Sequence, residues 1–599
     1  MQLHTLDWII ALFSVAICFA PALFFGKRSG KSTAEFFASG RSVPWWLAGL
    51  SMVATTFSSD TPNLVANIVR TEGVAGNWRW WAFTLTGVAT VFFYARLWRR
   101  SGVLTDLEFY ELRYSGKAAM AVRGFRSVYL GLLFNCVIMA TVNLAACKIA
   151  AVLFGFQRWQ TLLAVGLLNV VFAAHSGLWG VLVIDMIQFF IKMSAVIAAA
   201  YFALRLPQVG GLTGLVDKLS HLHGPGGINY LAMLPDFKSN WDVAVAVFVI
   251  PISVQWWATW YPGAEPGGGS YIAQRMLASK SEKDALGGTL FFNVAHYVLR
   301  PWPWILTALA SLIVYPQLSD IQKAFPHLDP TLIGHDIAFP AMLRFLPVGW
   351  MGLMLGGLIA ANSSTILTHL NWGASYLVHD FYRRFVRQGA PEKHYVMAGR
   401  LATVILFVCS SATVFALDTA SGSFNVILQI GAGTGLLYLV RWFWWRVTAW
   451  CEIVAMISSF GMSILFLILT KNNAAPSTAA QLLITIGVTT VCWLATAYLG
   501  PQNDPQTLVN FYKKVRPNGP GWRPIQMKAG ISDAAAAIDR AENFPLSLLG
   551  WFTGCIMIWS ALFTVGNFLY GRMGYALGLF AVFAVTAVIL IRVVQRIWR

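Results

Sequence analysis

The sequence predicts an all-α polytopic membrane protein with about fifteen transmembrane helices. Of its 599 residues, 57% are apolar and 11% charged, against about 25% charged in a soluble domain. Apolar runs near the ~20 residues that cross a ~30 Å hydrocarbon layer recur from Trp8 to the C-terminus. The runs are continuous and rich in Leu, Val, Ala and Phe, which excludes a barrel, whose strands are about ten residues long and alternate in polarity. A water-soluble enzyme is excluded by the same composition.

Reading runs against breakers places spans at approximately 7–25, 44–70, 79–98, 124–155, 160–175, 178–204, 242–265, 286–315, 347–378, 397–417, 423–443, 447–470, 480–499, 546–570 and 574–595. The net charge is +18, from 43 basic and 25 acidic residues. In a membrane protein the side on which that charge sits matters more than its sum, so no nucleic-acid partner is inferred. With the first connection in the cytoplasm, that side holds about 30 basic residues and the other about 11, with Lys192 and Arg300 inside spans. This bias predicts a multi-pass protein of the plasma (inner) membrane, N-terminus outside and C-terminus cytoplasmic. The first run ends in Gly26-Lys-Arg-Ser-Gly-Lys31, with its positive charge on the C-terminal flank, the reverse of a secretory signal. Seven cysteines lie in or at the ends of apolar runs without a CxxC pair, and are read as small core residues.

Two spans are interrupted. The second carries Ala54-Thr-Thr-Phe57-Ser-Ser-Asp60-Thr-Pro62-Asn63 at mid-span depth, and the seventh carries Trp256-Trp-Ala-Thr-Trp260-Tyr-Pro262-Gly-Ala-Glu265-Pro266-Gly-Gly-Gly269. Proline and clustered glycine cannot continue a helix, and non-helical backbone at membrane depth survives only where protein or a wet cavity covers it. Each break opens a block of five helices. Such matched positions are the signature of an inverted-repeat transporter: an inverted 5+5 repeat core with discontinuous first and sixth core helices, plus one N-terminal and about four C-terminal extra helices. The corresponding division is 1–43 (extra helix and cytoplasmic connection), 44–204 (first repeat), 205–241 (extracellular loop), 242–445 (second repeat), 446–500 (accessory helices), 501–545 (cytoplasmic loop) and 546–599 (C-terminal helix pair). The punctuation of 501–543 and its alanine-rich stretch at 532–541 read as a surface connector.

The ninth span holds Ala360-Ala361-Asn362-Ser363-Ser364-Thr365. Residues three and four apart share a helix face, so the Ala361 carbonyl and the Ser364 and Thr365 hydroxyls converge. These are neutral oxygens, suited to a hard monovalent ion such as Na⁺, whereas Ca²⁺ would call for several carboxylates. Carbonyls freed at Ala54 and Phe57 would complete a five-oxygen shell. Taken alone, a Ser-Thr pair on a membrane helix is usually a back-bonding or helix-packing feature.

Five strings together resemble the sodium:solute symporter family, over roughly residues 1–450: Phe36-Phe-Ala-Ser-Gly-Arg41, Thr105-Asp-Leu-Glu-Phe-Tyr-Glu-Leu-Arg-Tyr114, Asp185-Met-Ile-Gln188, Tyr271-Ile-Ala-Gln-Arg-Met-Leu-Ala-Ser-Lys280, and Ser364-Thr365 through Asp380-Phe-Tyr382. The resemblance implies the leucine-transporter fold, Na⁺ as coupling ion with no organic cofactor, and a sodium site on Ala54, Phe57, Ala361, Ser364 and Thr365. It also implies an ion path or second sodium site near Asp185 and Gln188. A carboxylate within the membrane points the same way, because its cost marks ion pathways.

The unwound segments would line the solute site with Ser58, Ser59, Asp60 and Asn63 from one half and Trp260, Tyr261 and Glu265 from the other, joined by Asn143, His296, Asn425 and Gln429. Here the chain departs from the family's pattern. Sugar-transporting relatives carry an Asn and a Tyr-Tyr-Trp gate where this chain has Pro262 to Pro266, and a sugar-contacting Lys near His296. Proline carriers carry an acid where Thr56 stands. The solute therefore stays open among sugar, amino acid and organic acid, and Asp60 and Glu265 could equally pair with Arg79, Lys148 or Arg300. The expected function is sodium-coupled secondary active symport of a small polar organic solute, with that solute and the bilayer as partners. The alternative is a transporter-like solute sensor signalling through the cytoplasmic loop. His175, His296 and His369 lie on separate spans without metal-ligand spacing, so an enzyme is not expected.

Overall fold

The computed structural model describes residues 3–20, 24, 30–258, 266–417, 433–531 and 544–598. Helices dominate, and a two-stranded hairpin at His223–Gly224 and Ile228–Asn229 is the one sheet among the described residues. We number the principal helices α1 (Thr5–Phe19), α2 (Trp45–Thr55), α3 (Asp60–Glu72), α4 (Gly116–Phe154), α5 (Arg158–Leu204), α6 (Ser270–Ala278), α7 (Glu282–Val314), α8 (Trp350–Val386), α9 (Glu392–Val414), α10 (Ala449–Lys471), α11 (Thr478–Leu499), α12 (Pro505–Val515), α13 (Phe544–Leu569) and α14 (Met573–Trp598). Nine helices are long and apolar enough to cross a membrane among the described residues. The other spans read from sequence are short, as α1 is, or broken, as at 45–72 and 78–101, or partly outside the described residues, as at 242–265 and 423–443.

Spans 160–175 and 178–204 form the two arms of α5, which turns at Gly177 (φ 56°, ψ −165°), backbone that an L side chain would strain. The second interrupted span is helical at Ile250–Ser253 and resumes at α6 after Gly267 and Gly268, both with φ near 80°. Residues 259–265 between them lie outside the described residues. A short parallel bridge joins the starts and ends of the two broken regions: Val43 N–H donates to Ala278 O (3.1 Å) and Lys280 N–H to Val43 O (2.8 Å).

The core is centred on α8, whose Ala360–Ser375 stretch is buried. α1 lies against it, and the Asp7 carboxylate accepts from the amides of Gly349 (2.7 Å) and Gly352 (3.0 Å) at the α8 N-terminus, where unpaired N–H groups and the helix dipole favour an anion. α5 approaches α8 so closely at Gly357 that an added Cβ would sit 2.8 Å from the Ala195 Cβ and 3.4 Å from the Lys192 Cα.

The segment expected to be a surface connector is in part interior. α12 and the turn after it bury Leu508, Phe511, Tyr512 and Trp522 against Phe109 and Trp442. The Trp522 indole donates to Trp442 O (2.8 Å) and its ring lies 4.6 Å from the Arg113 guanidinium. The aromatic residues among the prolines and glycines carried this signal. Residues 532–541 lie outside the described residues. Trp522→Ala is expected to cost about 3–5 kcal/mol of stability, read as a lowered Tm of the detergent-solubilised protein, whereas Met527→Ala, at 64% exposed, should leave Tm nearly unchanged. Equal Tm values for the two variants would refute this packing role.

Candidate functional site

α2 ends at Thr55, residues 57 and 58 are non-helical, and α3 begins at Asp60. A helix that stops at membrane depth leaves its last carbonyls without i+4 partners. Side chains from three other helices supply the donors. From α8, Thr365 Oγ1 donates to Thr55 O (2.7 Å) and Ser364 Oγ to Ala54 O (3.1 Å), and both hydroxyls lie 3.4 Å from Ala361 O. From α5, the Lys192 ammonium donates to Ala54 O (2.6 Å), Phe57 O (2.9 Å) and Ser364 Oγ (2.8 Å). From α7, Arg300 Nη1 donates to Val53 O (3.2 Å) and Thr56 Oγ1 (3.1 Å). Lys192 and Arg300 are each 1% exposed. Cations at a helix C-terminus are favoured by its dipole, and each lies within 6 Å of the Phe57 ring centroid, which adds cation–π attraction.

The five oxygens singled out in the sequence, on Ala54, Phe57, Ala361, Ser364 and Thr365, thus come together at the junction of the broken helix and α8. Asp185 and Gln188 lie beside them on α5. Asp185 accepts from Ser51 Oγ (2.5 Å) and has the Arg275 guanidinium at 3.7 Å, while its Oδ1 and both polar atoms of Gln188 are buried without hydrogen-bond partners among the described residues. Arg275 in turn donates to Ser51 Oγ (3.1 Å) and Thr368 Oγ1 (2.8 Å).

Among the expected solute ligands, Ser58 bonds the Asp60 carboxylate, and Ser59 Oγ donates to Val142 O (3.0 Å), tying the break to α4. Asn143 and Asn169 join Asn362 in a buried ladder, with contacts of 3.0 and 3.3 Å. His296 contacts Thr56 Oγ1 (3.1 Å) and Arg300. Asn63 is 1% exposed, and neither side-chain polar atom has a partner among the described residues. Trp260, Tyr261, Glu265, Asn425 and Gln429 lie outside the described residues. Two of the bases considered as partners of Asp60 are engaged elsewhere: Arg79 with Glu72 (2.8 Å) and Lys148 with Asp336 (2.8 Å). A cavity of about 40 Å³ reaches Thr56, Tyr271, Asn293 and His296, room for about one water.

Sequence reasoning placed Lys192 in a span without giving it a role, and offered Arg300 only as a pairing partner for Asp60 or Glu265. The signal was present, since an ionisable group inside a membrane helix is functional by default and Lys192 stands four and seven residues after Gln188 and Asp185, on the same helix face.

Away from the break, the Thr105–Tyr114 motif forms an ionic cluster with the end of α8. Arg123 bridges Asp380 (2.7 Å) and Glu111, Arg384 binds Glu111 (2.9 Å), and His379 meets Glu108. Burial raises the Glu108 carboxyl, but the His379 hydrogen bond and charge, the Leu104 amide and Arg123 outweigh it and hold the group at about 2, against ~4.3 for free Glu.

Comparison with known proteins agrees with this architecture. The model of the sodium:solute symporter family matches residues 36–459, and the chain belongs to that family. Membership brings sodium-coupled solute symport with it. A sodium/glucose cotransporter of Vibrio parahaemolyticus is 25% identical over 76% of this chain and 84% of its own. Sodium/glucose cotransporter 1 of Oryctolagus cuniculus is 24% identical over 73% of this chain and 68% of its own. A Na⁺-coupled sialic acid symporter, solved in a substrate-bound outward-open state, superposes with a TM-score of 0.65 at 17% identity, over 84% of this chain and all of that one.

A depressed carboxyl stabilises fully above its unfolded pKa and loses that contribution as pH falls through its folded value, here from pH ~4.3 to about 2. Glu108→Gln is expected to flatten the decline in Tm across that window, and a decline as steep as in the wild type would remove Glu108 from the account.

Proposed function

We propose that the protein imports a small polar organic solute, a sugar, amino acid or organic acid, by Na⁺-coupled secondary active symport with alternating access. The observation that carries this reading is the meeting of freed α2 carbonyls with the α8 hydroxyls at a helix break, in a chain of the sodium:solute symporter family. Sodium is taken to use the neutral oxygens of Ala54, Phe57, Ala361, Ser364 and Thr365, with Asp185 and Gln188 on its path. The solute is taken to lie against the break, where Asn63 offers unused donors and an acceptor, with Ser58, Ser59, Asp60, Asn143 and His296 joined by Trp260, Tyr261 and Glu265 of the seventh span and Asn425 and Gln429 of the eleventh. The cotransporter relatives, named for glucose, favour a sugar among these classes. We place the N-terminus outside, the C-terminus in the cytoplasm, and the inverted repeats at 44–204 and 242–445.

The driving force is sufficient, because one charge moving down 100 mV supplies about 2.3 kcal/mol before any concentration gradient. A thermal-shift screen of sugars, amino acids and small acids in Na⁺ or K⁺ should return a ligand that stabilises in sodium. Uptake of that ligand into proteoliposomes should require an inward Na⁺ gradient and fall at least about tenfold in the Ser364→Ala, Thr365→Ala double variant. Uptake indifferent to Na⁺ would overturn sodium coupling. Asn63→Ala should raise KM for the solute by about tenfold, the loss of one buried hydrogen bond to a polar ligand, and an unchanged KM would place the solute elsewhere.

A further inference from the structure

Three of the five oxygens read as sodium ligands touch a cation that belongs to the protein. The Lys192 ammonium has three N–H donors, and they end on Ala54 O, Phe57 O and Ser364 Oγ at 2.6, 2.9 and 2.8 Å. An ion bound by the same oxygens would lie within a few ångströms of Nζ, where two like charges away from water repel strongly. Ammonium and sodium therefore exclude each other here. The placement is built into the backbone. Gly357 lets α8 close onto the Lys192 Cα, and the side chain is 1% exposed.

A second set of groups lies one and two turns away on the same face of α5. Among the described residues, the amide nitrogen and oxygen of fully buried Gln188 and the Oδ1 of fully buried Asp185 have no partner. Both residues are four and seven positions before Lys192, so a flexible four-carbon stem swinging along the helix meets an amide oxygen and then a carboxylate oxygen. Arg275 holds only the other oxygen of Asp185.

We propose that Lys192 is a tethered rival of the coupling sodium. Its ammonium fills the ion position in the state seen here, and Na⁺ gains the oxygens of Ala54, Phe57 and Ser364 only as the lysine withdraws toward Gln188 and Asp185. Lys192 then sets how much sodium the carrier needs. It is a positioning residue that acts through the break. This rests on the reading of those oxygens as the ion site.

The test is a sodium titration of the purified full-length protein in detergent, followed by Tm with choline replacing Na⁺. Lys192→Met, which keeps the stem and removes the charge, should lower the half-saturating sodium concentration at least tenfold, and Lys192→Gln should do the same. Lys192→Arg should leave it at or above the wild-type value. Adding Ser364→Ala to Lys192→Met should abolish the gained response. A Met or Gln variant that titrates like the wild type, or a gained response that survives Ser364→Ala, would overturn the proposal. The two readings fail separately. A wild type deaf to sodium beside a sodium-stabilised Met variant would keep the lysine's role and remove sodium coupling, whereas sodium-driven uptake with identical titrations would keep symport and remove the rival.

Discussion

The end of a helix inside a bilayer exposes carbonyls that neither lipid nor the helix can satisfy, and the centre of this protein is organised around that constraint. α2 stops at Thr55, and donors from α5, α7 and α8 converge on Val53, Ala54, Thr55 and Phe57. Two of those donors are basic side chains, Lys192 and Arg300. Burying an ion costs several kcal/mol unless hydrogen bonds repay it, and here the negative end of the broken helix together with its freed oxygens provides that repayment. Lys192 and Arg300 therefore stabilise the break, and the break stabilises them. Removing either would leave a buried group of the other kind unmatched.

The surroundings make that exchange possible by geometry. Gly357 brings α5 against α8, the Val43 bridge to Ala278 and Lys280 couples the two interrupted regions, and Asp7 clamps α1 on the N-terminus of α8. The ionic cluster of Arg123, Glu111 and Asp380 fixes the far end of α8. Between those fixed points the residues flanking the break retain unused polar capacity at Asn63, Gln188 and Asp185. A rigid frame with unsatisfied groups at its middle is what a carrier needs if an ion and a solute are to supply the missing partners.

Much of this was legible in the sequence because the bilayer leaves few choices. Proline and hydroxyl residues at mid-span depth located the rupture at Phe57, and the i, i+3, i+4 spacing of Ala361, Ser364 and Thr365 located the facing oxygens. Composition alone did not locate the partner of those oxygens, because Lys192 is distant in sequence and only the packing of α5 on α8 brings it there. Polarity also misled at 505–522, where Pro and Asn punctuation suggested a surface connector while Phe511 and Trp522 were bound for the interior. The seventh span's residues 259–265 and the stretch 418–432 lie outside the described residues, so the readings of Trp260, Tyr261, Glu265, Asn425 and Gln429 rest on sequence.

α13 reaches back across most of the chain. From α13, the Trp551 indole donates to Leu85 O (2.8 Å), Trp559 to Trp81 O (3.2 Å), and Phe92 packs where Gly550 has no side chain. The stretch that receives them, 78–101, is kinked and locally over-wide, and so is poorly suited to face acyl chains by itself. Synthesis delivers it to the membrane some 450 residues before its cover. The third span is thus completed only after α13 has been made, and the maturing polypeptide must shelter an unfinished wall until that helix arrives.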